Sequence, residues 1–67
     1  MKYSIIVVRL YVNKGEADIE LTEGKETRTI YGTKEDGYMW IRTARACGYP
    51  ETWKRFDNGD QIFTFTK

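Results

Sequence analysis

The chain has 67 residues, of which 40% are apolar, 31% charged and 15% aromatic, and its formal net charge is +1. That length admits one domain with a thin core, since a domain of about 60 residues buries only about 60% of the surface its unfolded chain exposes. With no histidine and one cysteine, Ser–His and Cys–His nucleophile pairs, an ordinary zinc site and an intramolecular disulfide are all excluded.

Tyr3 to Val12 is almost entirely β-branched or aromatic. Alternation sends Ile6, Val8, Leu10 and Val12 to one face and Tyr3, Ile5, Val7, Arg9 and Tyr11 to the other, which predicts a central strand. The run SIIVVRLYV is too short to span a bilayer and has neither a long charged n-region nor a small-residue cleavage site. We therefore expect no signal peptide, and a lone cysteine fits a cytoplasmic setting. After the turn residues Asn13, Lys14 and Gly15, Ala17, Ile19 and Leu21 alternate with Glu16, Asp18, Glu20 and Thr22. This predicts a half-buried strand with an acidic outer face.

Gly24 breaks that pattern, and Thr27 to Gly32 is strand-like by propensity, with the inward residue, Ile30 or Tyr31, left open. Thr33 suits a helix N-cap, and Glu35 and Asp36 suit the first turn of a helix over about Lys34 to Cys47. Trp40, Ile41 and Ala44 define its inward side, with Cys47 packed at its end. Gly48 follows as a C′ glycine and Pro50 bars resumption. Gly37 falls inside this helix, where glycine costs up to ~1 kcal/mol relative to alanine.

The tail TWKRFDNGDQIFTFTK reads as a hairpin turning at Asn58-Gly59. A two-residue turn would oppose Asp57 and Asp60, a like-charge pair. A three-residue loop over Asp57, Asn58 and Gly59 instead sets Trp53 opposite Phe63 and gathers Trp53, Phe63 and Phe65 on the helix side, with Phe56, Ile62 and Thr64 on the other. The expected fold is a single α+β domain over residues 1–67, an antiparallel sheet in the order β-β-β-α-β-β with one helix on one face. Trp40, Ile41, Trp53 and Phe63 are expected among its most buried side chains.

An antiparallel sheet covered on one face leaves the other to water. Tyr3, Val7, Arg9 and Tyr11 are expected there, forming a partner surface or one closed by a homodimer. Charge is also polarised. Asn13 to Glu26 carries five carboxylates against Lys14 and Lys25, whereas Arg42 to Phe56 carries Arg42, Arg45, Lys54 and Arg55 against Glu51.

No phosphate-binding glycine loop, aromatic RNA-binding signature or metal-ligand cluster occurs, so no cofactor and no membrane partner are expected. The reading that follows is a non-enzymatic module binding a protein partner. Small aromatic-rich domains without catalytic equipment are a common form of phage-encoded inhibitors, including the anti-CRISPR type. That association rests on no single residue here. The alternative is a nucleic-acid-binding domain using the Arg and Lys set with Tyr3 and Tyr11 as stacking groups. A third reading, mimicry of nucleic acid by the acidic strand, asks for a far more acidic chain.

Overall fold

Five strands and one helix follow the chain order β1 (Ile5–Tyr11), β2 (Glu16–Glu23), β3 (Glu26–Thr33), α1 (Lys34–Ala46), β4 (Glu51–Arg55) and β5 (Gln61–Thr66). The computed structural model describes all residues, Met1–Lys67. The strands form one sheet in the order β3-β2-β1-β5-β4, and every neighbouring pair is antiparallel. This is the expected α+β arrangement with β1 at its centre, where its dense β-branched sequence gains most from having a neighbour on each side.

The core lies between the helix and one face of the sheet. Ile6, Val8 and Leu10 of β1 are fully buried beside Ala17, Ile19 and Leu21 of β2, and Phe63 and Phe65 of β5 join them from the other flank. No polar or charged residue is buried, so each side chain on this face contributes by area alone, at roughly 25 cal/mol per Å² removed from water.

Thr33 caps α1 as expected. Its hydroxyl accepts from the Asp36 N–H, and the Asp36 carboxylate accepts from the Thr33 N–H at 2.9 Å, a reciprocal capping box. Gly48, at φ 81°, ends the helix in the left-handed conformation that glycine tolerates. Gly37, expected only as a weak point, is buried in the contact between helix and sheet. A Cβ there would stand 2.6 Å from Leu10 Cδ2 and 2.9 Å from Ala17 Cβ, so the missing side chain lets the helix approach.

The β4–β5 hairpin takes the three-residue loop. Trp53 pairs with Phe63, the Phe56 N–H donates to the Asp60 carbonyl, and the Gly59 N–H donates to the Phe56 carbonyl. Gly59 has φ 93°, as the bulge position of such loops requires. Ile30 lies opposite Ile19 and Tyr31 opposite Asp18, so Ile30 takes the helix side and Tyr31 the open face.

Four expected placements need correction. Trp53 shares a face with Phe63, yet the helix lies over β1, β2 and β3 while β4 is the outermost strand, leaving Trp53 55% exposed. Trp40 is only half-buried, because it packs edge-on against Tyr3 at the rim, ring centroids 6.0 Å apart. Tyr3 thereby leaves the open face: β1 begins only at Ile5, and the Tyr3 carbonyl accepts from the Tyr49 hydroxyl. Cys47 is exposed rather than packed, since it is the C-cap beyond the last helical residue.

Candidate functional site: the open face of the sheet

Opposite the helix, the register aligns residues in rows across the strands. One row runs Tyr31, Asp18, Arg9, Ile62, Lys54, and the row below it runs Thr29, Glu20, Val7, Thr64, Thr52. Val7, Arg9 and Tyr11 thus lie on this face as the alternation of β1 demands.

Where β1 meets the β4–β5 loop the face hollows into an open concavity of about 500 Å³, lined by Arg9, Tyr11, Phe56, Asp57, Asn58 and Asp60. Its walls are held in place by polar contacts. The Tyr11 hydroxyl donates to Asp18 Oδ2 at 2.8 Å, and Asn13 Nδ2, from the β1–β2 turn, donates to the Asn58 carbonyl at 3.2 Å. Asn58 and Asp60 lock the loop reciprocally: the Asp60 N–H donates to Asn58 Oδ1, and Asn58 Nδ2 donates to Asp60 Oδ2, each at 3.0 Å. Phe56 stands 41% exposed at the rim, with Lys54 Nζ 5.2 Å from its ring centroid, within cation–π range.

Electrostatics divide the face. The two salt bridges of the chain, Lys2–Glu23 and Arg45–Glu51, do not involve Arg9, which lies opposite Asp18 and beside the Tyr11 phenol. Beside it run Glu16, Asp18 and Glu20 of β2, and Asp57 and Asp60 border the concavity from the loop. The Tyr11 phenol is held above its ordinary pKa by its hydrogen bond to Asp18, reinforced by burial and opposed by Arg9. At neutral pH it is therefore an OH donor, its half-buried ring lining the concavity. No group of three or more Cys, Asp or Glu side chains converges as metal ligands would.

The other named cations lie mostly apart from this face. Lys54 alone of the four shares it, since Arg55 pairs with Gln61 on the helix side. Arg45 donates from Nε and Nη2 to the Glu51 carboxylate at 2.8 and 2.7 Å, and its guanidinium stands 5.9 Å from the Phe63 ring centroid. Arg42 precedes Arg45 by one helical turn and is exposed. The run from Arg42 to Phe56 therefore divides between two surfaces. Alternation places Phe56 on the open face, but that it lines one concavity with Tyr11 depends on a register between segments about 45 residues apart. Tyr31, 78% exposed, was missed, because its facing is set by pairing with β2.

No family model, curated protein or solved structure matches the chain.

Proposed function

We propose that the chain is a non-enzymatic module that binds a protein partner through the open face, centred on Arg9, Tyr11 and Phe56. The observation that carries this reading is the concavity itself: two aromatic rings and an arginine, bordered by Asp57, Asp60 and the carboxylates of β2. Exposed aromatics with arginine are typical anchors of protein interfaces. The acidic border repels a phosphate backbone, whose binding depends on clustered cations. Without histidine, such a surface acts by occupying or bridging a partner's surface, which is the action of an inhibitor, and a phage-encoded inhibitor in a host cytoplasm is the biological setting it suits.

A second reading rests on the other surface. Trp53 is exposed beside Arg55, and Arg45 and Arg42 follow on the neighbouring helix. An exposed tryptophan among arginines is a stacking platform for single-stranded nucleic acid. Glu51 offsets one of those charges, which ranks this reading second.

The test is affinity capture from the cell of origin with the wild-type chain and with Tyr11→Ser/Phe56→Ser, the bound material being treated with nuclease or protease. A protease-sensitive, nuclease-resistant species absent from the double variant is expected. Bound nucleic acid, retained by the double variant and lost on Trp53→Ala, would transfer the function to the second surface.

A further inference from the structure

The two edges of the sheet are finished differently. β4 has five residues, follows Pro50 and carries Glu51, Lys54 and Arg55, a short charged edge of the kind that discourages pairing. β3 has eight residues in unbroken register with β2, without proline, lysine or bulge.

The hydrogen-bonding polarity of β3 can be read from one bond. The Lys34 N–H donates to the Gly15 carbonyl at 2.8 Å, and antiparallel alternation then turns the even-numbered residues of β3 toward β2. Thr27, Thr29, Tyr31 and Thr33 present their backbone groups outward. The Thr33 N–H is taken by Asp36, which leaves Thr27, Thr29 and Tyr31 as open positions.

We propose that β3 pairs antiparallel with β3 of a second copy about a two-fold axis at Ile30, joining two five-stranded sheets into one. Charge and the open backbone groups select this register. Centring the pair on Arg28 would oppose two arginines, and centring it on Tyr31 would set Thr29 against the partner's Thr33, whose N–H is already taken by Asp36. Centring it on Thr29 sets Ile30 against an arginine. Centring on Ile30 sets that residue, 41% exposed, against the partner's Ile30 and Arg28 against the partner's Gly32, so no like charges meet within the strand. Thr29 and the partner's Tyr31 then exchange N–H···O=C bonds, so the open backbone groups at the centre are satisfied in a self-complementary contact. The pairing uses an edge and not a face, and so stands independently of the proposed function.

Sedimentation over a concentration series, with Thr29→Pro and Tyr11→Ser, tests it. The wild type and Tyr11→Ser should form a dimer with rising concentration. Thr29→Pro should remain monomeric with an unchanged circular dichroism spectrum, because the N–H it removes faces solvent in the monomer. In a Cys47→Ser background, Ile30→Cys should form a disulfide-linked dimer on mild oxidation and Arg28→Cys should cross-link far less. This second measurement decides the matter should Thr29→Pro unfold. A wild-type monomer throughout, a dimer lost on Tyr11→Ser but kept in Thr29→Pro, or equal cross-linking at both positions would overturn the pairing.

Discussion

Gly37 of the helix lies so close to Leu10 of the central strand that a Cβ on the glycine would stand 2.6 Å from Leu10 Cδ2 and 2.9 Å from Ala17 Cβ. Leu10 is fully buried and Ala17 almost so, so a Cβ at this distance forces a buried side chain or the helix to shift. Replacing Gly37 by alanine raises helix propensity by up to ~1 kcal/mol but overpacks this contact, which typically costs about 1–3 kcal/mol. Gly37→Ala should therefore lower stability in a urea melt, and a rise in midpoint would show that the helix can lift from the sheet without loss.

Trp53 and Phe65 share one side of the hairpin and differ in cover. Phe65 is fully buried beside β1 while Trp53 is 55% exposed on the outermost strand. Phe65→Ala should cost about 3–5 kcal/mol, a large share of a small domain's stability. Trp53→Ala loses mainly its contact with Phe63, ring centroids 6.5 Å apart, and its indole hydrogen bond to Gln61, for about 1 kcal/mol. Equal losses in thermal melts would mean that the helix covers β4 after all.

These contrasts show what local pattern conveys. The hairpin register was legible because Asn58-Gly59 and the repulsion between Asp57 and Asp60 both act within a few residues. The side of the sheet that Trp53 occupies was legible from alternation. How far the helix reaches across the sheet was not, because that depends on the strand order β3-β2-β1-β5-β4, a long-range property. Tyr3 was misplaced for a related reason: its apolar neighbours extend the alternating pattern, while Tyr49, from the far end of the chain, fixes its carbonyl and Trp40 holds its ring. On the site, Arg9 and Tyr11 were legible from one strand, but the concavity they share with Phe56 required the paired register.

Two side chains should leave opposite marks on the pH dependence of stability. The Tyr11 phenol is raised above its ordinary pKa by donation to Asp18, so its contribution is complete below the ordinary phenol value and is lost as pH rises through the folded value. The Glu51 carboxyl is lowered by its hydrogen bonds from Arg45. Its contribution is complete above the ordinary carboxyl value and is lost as pH falls through the folded value. Asp18→Asn should bring the Tyr11 ring titration, followed by NMR, down toward that of a free phenol. Glu51→Gln should flatten the acid limb of the stability profile without altering the alkaline one. A Tyr11 titration unmoved by Asp18→Asn would remove the hydrogen bond from the account.

Salt separates the two surfaces. If a protein partner seats on Tyr11 and Phe56, Tyr11→Ser should weaken binding by about tenfold or more, as loss of an anchoring aromatic does, and added salt should act chiefly on the association rate through Arg9 and Lys54. If single-stranded nucleic acid seats on Trp53, log affinity should fall with log salt by roughly 0.7 per phosphate contacted, and replacing both Arg42 and Arg55 should flatten that slope by about one unit. Arg45 is the poorer choice for this experiment, because its guanidinium is already bound to Glu51 and its removal would also untie the helix from β4. The first outcome is expected, since the acidic β2 stripe borders the aromatic concavity while the arginines of the other flank are partly offset. Tight, salt-sensitive binding of a mixed-sequence oligonucleotide at physiological ionic strength, abolished by Trp53→Ala and untouched by Tyr11→Ser, would assign the function to the tryptophan surface instead.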